Sequence, residues 1–507
     1  MKTKNKILSL EELAVVCAKI KKQGKKIAQC HGCFDLLHPG HIKHFESAKK
    51  IADVVVVTVT PDSFVNKGLG RPVFNEKLRL ESLAGLASVD YVALNKWPTA
   101  IETVKIVKPD FYVKGQDYKD REKDVTGNIK LEEDAVNSVG GKIYFTEEIT
   151  FSSSSLINAH LSPHNDKAQD YLSMFRKKYS ADEVIAEIEK LKNIRVLVIG
   201  DTIIDEYHYC VPLGKSTKSP NISAVYSRKE IFAGGVLAVA NHIEQFAGEV
   251  ELVTVLGKQN DQLSVIEENL SKRVSRKFFY REDAPTNTKR RYLDSYLNIK
   301  LFEVTFINNK FIDKKLEDEI ISYLKKKIKN VDVVLVADFG HGFISPNIVR
   351  FLEDSGKYFA ANAQTNSNNY GFNYITKYHR VNYISIDERE LRLPFSDNYG
   401  DLENLTKQLK KITKAEKIQI TLGQQGTILY EKNKFHYTPA FATSVRDSVG
   451  AGDAVLSITS LCAYKNSSPE ILGFIGNCTG ALAVQIIGNE HPVYKKDLTR
   501  FIQHFLK

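Results

Sequence analysis

The stretch Lys26-Ile-Ala-Gln-Cys-His-Gly-Cys-Phe-Asp-Leu-Leu-His-Pro-Gly-His41 decides how the first part of the chain is read. Lys26–Cys30 is a short strand-type run, a Gly-containing loop follows, and Pro39 suits the first turn of a helix that continues to about Ile51. The β-branched run Asp53–Thr60 comes next, so the segment reads as a βαβ opening. His31, Cys33, Asp35, His38 and His41 lie as densely as metal ligands do, yet the ligands beyond the first two have no matching spacing. His38 and His41, three residues apart at the positive end of a helix dipole, share one face and can donate hydrogen bonds to an anion. The turn therefore points to phosphate.

Strand signals recur at Tyr91–Leu94, Phe111–Val113 and Lys142–Thr146, separated by helical patterns, which implies a parallel, doubly wound sheet. After Phe151 the composition shifts to Ser152–Ser155 and then to the polar, Pro-containing His160–Asp170. An amphipathic helix, Ala181–Lys192, leads to a fresh strand, Arg195–Ile199, which ends in Gly200-Asp201. At 507 residues the chain is too long for one core. The expected organisation is a domain over 1–160, a linker and lead-in helix over 161–185, and a second domain over 186–507. In the second domain strands recur near Val331–Val336, Tyr383–Ile386 and Ile418–Thr421, so the fold class is α/β with two doubly wound domains.

Hydrophobic content of 43% and charged content of 26% describe an ordinary globular protein. The longest apolar runs, such as Val54–Val57, fall far short of a membrane span, and no signal peptide opens the sequence. A cytoplasmic protein without membrane partners is expected. The net charge of +10 comes from dispersed lysines with no aromatic-basic module, which suits small anionic substrates and argues against nucleic acid. Cys30 and Cys33 form a C-x-x-C pair with no second pair to complete a zinc site, and Cys33 reads as a small packing residue.

A second phosphate-type turn stands at Asp447-Ser-Val-Gly-Ala-Gly-Asp453, ahead of an apolar helix. The N–H groups of Gly450, Ala451 and Gly452 can form an anion cradle, with Asp453 at the helix start facing what the cradle holds.

The first turn has companions in order: Gly32–Asp35, Lys67 with Arg71-Pro-Val73, Glu76-Lys-Leu-Arg79, Val113-Lys-Gly-Gln-Asp-Tyr118 and Phe151–Ser155. Together they resemble the H-x-G-H nucleotidyltransferases, above all the adenylyltransferase half of the bifunctional heptose-phosphate kinase/heptose-1-phosphate adenylyltransferases. Glycerol-3-phosphate cytidylyltransferases are similar to a lesser degree. The resemblance implies a Rossmann-like domain in which a sugar-phosphate oxygen attacks the α-phosphorus of a nucleoside triphosphate and pyrophosphate leaves. It assigns His38 and His41 to the triphosphate, and Lys67 and Arg79 to charge on the transferring and leaving phosphates. Ser152, Ser153 and Ser154 would meet phosphate oxygens; Gly32, Cys33, Phe34, Lys114, Gly115 and Asp117 would border the nucleotide; and Asp35 would lie near the sugar phosphate. Glu147-Glu-Ile-Thr-Phe-Ser152 stands where cytidylyltransferase relatives tend to carry an arginine, which favours ATP and leaves CTP as the alternative.

From about residue 190 the chain resembles ribokinase-like sugar kinases, through Gly200-Asp-Thr-Ile-Ile-Asp205, Ala233-Gly-Gly235, Asp338-Phe-Gly-His-Gly342, Thr421-Leu-Gly-Gln-Gln-Gly426 and Gly450–Asp453. That resemblance makes Asp453 the base for a sugar hydroxyl attacking the γ-phosphate of ATP and sets Gly450, Ala451 and Gly452 on the transferring group. It places Thr421, Gly423 and Gly426 beside the nucleotide, Asp201, Asp205, Gly234, Gly235 and Lys289 beside the acceptor, and Glu390 behind Mg2+ as an indirect support. Ala238 replaces a sugar-binding asparagine, and Asp387 replaces the amide of an N-x-x-E motif. Ala361–Asn369 replaces an Asp-Pro-Lys-like segment, and Lys300 stands at a substrate arginine, losing its bidentate fork. The two resemblances imply a bifunctional transferase, with the kinase second rather than first, that makes a nucleotide-activated sugar of the ADP-heptose type for surface lipopolysaccharide assembly. Its substrates would be sugar phosphates and ATP with Mg2+, and its relatives suggest a dimer or larger. A nucleotidyltransferase carrying a non-catalytic, sugar- or nucleotide-sensing kinase-like domain is the alternative that Ala238 and Lys300 favour.

Overall fold

Strand Ile27–Gly32 runs into helix Pro39–Ile51 through an extended His38 (φ −139°), with Pro39 in the first turn. The computed structural model describes residues 3–65, 72–115, 128–146, 166–369 and 371–506. It divides into two units, the first ending at Pro163 and the second beginning at His164.

The first unit contains β1 (Ile7–Leu8), β2 (Ile27–Gly32), β3 (Val54–Val59), β4 (Tyr91–Leu94), β5 (Phe111–Gly115) and β6 (Lys142–Thr146). They pair in the order β1-β4-β3-β2-β5-β6, every pairing parallel. The unbroken valine run of β3 follows from burial on both faces: Val55, Val57 and Val59 pack with Phe45 and Leu83, and Val56 packs with Leu13 and Cys17. Chain direction across the sheet reverses between β2 and β5, the switch point where doubly wound sheets leave a crevice at their carboxyl ends. His38 follows the end of β2, and Lys114 and Gly115 end β5.

The second unit contains β7 (Arg195–Gly200), β8 (Thr202–Lys215), β9 (Ile222–Gly235), β10 (Glu249–Gly257), β11 (Val274–Arg281), β12 (Thr288–Asp294) and β13 (Lys300–Phe306). It continues with β14 (Val333–Asp338), β15 (Tyr358–Ala363), β16 (Tyr383–Asp387), β17 (Lys417–Thr421), β18 (Thr427–Glu431) and β19 (Lys434–Thr438). The large sheet runs β11-β10-β7-β14-β15-β16-β17-β18-β19, parallel up to β17 and antiparallel beyond it. Its switch point falls between β7 and β14, whose ends bring Asp201 and Asp338 together. A smaller sheet, β13-β12-β8-β9, is absent from the sequence reading. Residues 224–229 of β9 and 300–304 of β13 are exposed on both faces, so neither strand shows the apolar periodicity by which a strand is recognised. No helix among the described residues is long and apolar enough to cross a membrane.

Candidate active sites

In the first unit the residues after β2 make a tight turn: Phe34 takes a left-handed backbone (φ 49°) and packs its ring on His41 and Phe45. The His38 and His41 rings stack with centroids 3.9 Å apart at the start of the Pro39–Ile51 helix, so the i, i+3 spacing does place both imidazoles together. His31 ends inside the sheet instead, bonded to Thr58 Oγ1 at 2.9 Å, and burial followed by the charge of Lys114 pushes its pKa down to about 4. It is a neutral strand residue.

Two of the expected site residues are buried in the turn. Arg79 is 1% exposed, and its guanidinium faces inward: it donates to Phe74 O, Cys33 O and Thr60 O and pairs with Asp62. An arginine with those commitments braces the turn and leaves no fork for a phosphate, because it stands on the buried face of helix Glu76–Ala84. Asp35 is equally buried, and its Oδ1 accepts Val73 N at 2.6 Å, which ties the segment ahead of that helix to the turn. That bond makes it a loop tie. Lys114 pairs with Glu132 at 2.7 Å and lies 5.1 Å from the Tyr112 ring centroid. Lys67, Arg71, Asp117, Ser152, Ser153 and Ser154 lie outside the described residues.

In the second unit a cavity of about 1250 Å³ lies between the two sheets' loops. It brings together Asp205, Gly235, Lys289, Glu390, the Gly450–Asp453 turn, and Thr421, Gly423 and Gly426. Gly450 has φ 82°, and a Cβ there would meet Asn489 Oδ1 at 1.9 Å, so conformation and space both demand glycine. Helix Ala451–Tyr464 starts at this turn and carries Asp453, nearly buried, in its first turn. Burial, and then the negative charge of Asp205, push the Asp453 carboxyl up to about 7, while Lys289 pulls the other way.

The small sheet supplies the other wall. A Cβ on Gly234 would meet Asp205 Oδ2 at 2.2 Å, so Gly234 makes room for that carboxylate, and one on Gly235 would meet Asp201 O at 2.5 Å. Lys289 stands opposite Asp205 in the β8–β12 register, and burial lowers its pKa. Arg291, two residues on and hence on the same face, pairs with Asp205 and, at 2.8 Å, with Glu303. The sequence reading missed Arg291 and Glu303, although the period of two from Lys289 would have found Arg291. Asp201 does not line the cavity; its Oδ2 accepts Phe339 N at 3.0 Å and His341 N at 3.3 Å. Its expected acceptor contact becomes a brace between β7 and the loop after β14. Burial, and then the charge of Asp338, push it up to about 6.

Glu390 lines the cavity in a reciprocal cap with Asp387, and its Oε1 accepts Thr365 N at 3.1 Å. Burial, and then the Asp387 charge, push its carboxyl up to about 8, and a nearby cation would relieve that cost. Among the described residues no cluster of three or more His, Cys, Asp or Glu is arranged to hold a metal. The segment replacing the Asp-Pro-Lys type lines the cavity with neutral groups, Gln364, Thr365 and Asn366, and Thr365 Oγ1 is buried without a hydrogen-bond partner among the described residues.

Residues 193–496 match the pfkB family of carbohydrate kinases. The chain belongs to that family. Ahead of its pfkB domain, residues 30–159 match the cytidylyltransferase-like family. Over the N-terminal domain this pfkB-family chain is 41% identical along 142 residues to the bifunctional protein HldE of a Nitratiruptor species, covering 28% of this chain and 30% of that one. It is 43% identical along 118 residues to HldE of Haemophilus influenzae (strain PittEE), covering 23% and 25%. The match therefore spans less than a third of these curated relatives. Among solved structures, phosphofructokinase-2 from Escherichia coli in complex with substrates and products has a TM-score of 0.48 at 11% identity, covering 61% of this chain and 98% of that one. Arabidopsis thaliana ribokinase complexed with ribose and ATP has a TM-score of 0.46 at 18% identity, covering 61% and 99%.

Proposed function

We propose that the chain is a bifunctional transferase that makes a nucleotide-activated sugar of the ADP-heptose type. Its pfkB domain phosphorylates a sugar or sugar phosphate with ATP, and its cytidylyltransferase-like domain transfers a nucleotidyl group, from ATP rather than CTP, to a sugar 1-phosphate. One observation carries the kinase half: Asp453, buried beside the Gly450 cradle, shares a cavity with Lys289 and Asp205 on the small sheet. A carboxylate with a pKa near neutrality accepts a hydroxyl proton as the hydroxyl attacks, and the cradle's N–H groups meet the charge on the transferring phosphoryl group. Thr421, Gly423 and Gly426 border the nucleotide, and Asp205 and Lys289 orient the acceptor. Glu390 would support a bound Mg2+, which would supply charge neutralisation on the phosphates.

In the nucleotidyltransferase half, the stacked His38 and His41 donate to the triphosphate, with Lys67 and Ser152–Ser154 as further contacts. Arg79 and Asp35 hold the turn that presents the histidines. The protein acts in the cytoplasm on sugar phosphates and nucleoside triphosphates, as a homo-oligomer. The test is to incubate the protein with ATP or CTP, Mg2+ and a panel of sugars and sugar phosphates, and to follow ADP and pyrophosphate separately. Release of both supports the reading. Pyrophosphate without ADP on every acceptor rejects the kinase half in favour of a sensing domain.

A further inference from the structure

Lys300 occupies the position of an expected substrate arginine, but its ammonium is committed to the protein. Nζ lies 2.8 Å from Asp447 Oδ1 and 5.3 Å from the Tyr207 ring centroid. Asp447 is buried and collects four donors. Lys300 Nζ and Val449 N (3.1 Å) reach Oδ1, while Tyr207 OH (2.8 Å) and Gly488 N (3.2 Å) reach Oδ2.

Those donors come from two sides. Lys300 opens β13, and Tyr207 lies on β8 two residues past Asp205, so both belong to the small sheet that carries the acceptor wall. Val449 immediately precedes Gly450, and Gly488 precedes Asn489, whose Oδ1 fills the space beside Gly450. Asp447 therefore stands where the small sheet meets the loop that opens the Asp453 helix.

We propose that Lys300 is a positioning residue that acts through Asp447 to fix the small sheet against the Gly450–Asp453 cradle, setting the distance between the bound acceptor and the transferring phosphoryl group. The inference rests on the kinase reading. The Lys300 side chain is 37% exposed, so water screens its end of the pair, while the Asp447 side chain is 6% exposed and held by its other donors. When Lys300 is removed, Asp447 keeps three neutral donors and the cradle keeps its fold. What is lost is a restraint between two walls of one site, and displacement of a reacting group by ~1 Å costs up to about 10²-fold in rate. The consequence belongs to catalysis and not to folding.

The test compares wild type, Lys300→Ala, Lys300→Arg, Asp447→Asn and the Lys300→Ala/Asp447→Asn double variant. ADP release is measured on the best acceptor among a heptose, a heptose phosphate, ribose and fructose 6-phosphate. Lys300→Ala should lower kcat/KM for the acceptor roughly 10- to 100-fold through kcat as well as KM, with the KM for ATP and the Tm nearly unchanged. Lys300→Arg should recover most of that loss, because it can still donate to Oδ1. The double variant should be no worse than Asp447→Asn alone, since the lysine acts only through that carboxylate. Wild-type efficiency in Lys300→Ala, or losses that add in full, would overturn the assignment while leaving the kinase reading intact. Asp453→Asn with undiminished ADP release, or no ADP release from wild type on any acceptor, would overturn the kinase reading and this inference with it.

Discussion

Lys289 faces Asp205 across the β8–β12 pairing, and the two act on the proton of Asp453 in opposite directions. Burial takes Asp453 up to about 7, Asp205 adds to the rise and Lys289 opposes it. A base works only when deprotonated, so kcat/KM for ADP formation should climb with pH through an inflection near 7. Lys289→Met removes the opposing charge and should move that inflection to higher pH, alongside any loss of acceptor affinity. A pH profile whose acid limb stays in place in Lys289→Met would contradict the coupling.

Asp453→Asn keeps the size of the side chain and the helix start but cannot accept the proton. Phosphorylation should fall by roughly 10²- to 10⁴-fold, the usual contribution of a positioned base. Pyrophosphate release by the first unit should be unchanged. Equal losses of both products would dissolve the division into two sites.

His41→Ala is the converse case. Its ring stacks on His38 at the helix start, so its removal should abolish most pyrophosphate release and leave ADP release at the wild-type rate. Measuring both products from one reaction mixture decides the point.

The sequence made the parallel sheets legible because their strands are buried on both faces: Val54–Val57 and Val333–Val336 could only be interior strands. The Gly450–Asp453 turn was equally readable, since Gly450 is required there by backbone conformation and by Asn489. The small sheet was not readable, because much of β9 and β13 is exposed. With that sheet went Glu303 and the partners of Arg291, which exist only once β8, β12 and β13 are paired, although the period of two from Lys289 marks Arg291 itself. Sequence order marked Arg79 as a position, and only the fold shows that it is buried and committed to the carbonyls of the turn.

Arg79→Lys tests that commitment. Lysine cannot serve Phe74 O, Cys33 O, Thr60 O and Asp62 at once, and each buried carbonyl left unpaired costs about 1–3 kcal/mol. The first unit should melt several degrees lower, and pyrophosphate release should fall in proportion to the unfolded or misplaced turn. Unchanged melting with a raised KM for the nucleotide would return Arg79 to the phosphates.

Glu390 gives a pH-dependent stability whose sign can be fixed in advance. Its folded pKa of about 8, raised by burial and then by Asp387, lies above the ordinary glutamate value of 4.5. Between those values the folded state holds a proton that the unfolded chain has released, so stability conferred below about pH 4.5 is lost as pH rises to 8. Glu390→Gln removes that titration but leaves one of the two N–H donors, Thr365 N or Asp387 N, without its oxygen. The variant should therefore be less stable than wild type by about 1 kcal/mol at about pH 5, the net value of one hydrogen bond. The gap should close or reverse by about pH 8.5, as the wild type alone bears the cost of a buried charge. Urea denaturation of the ligand-free protein at the two pH values measures it, and a gap that stays constant would show that Glu390 keeps an ordinary carboxyl pKa in the fold.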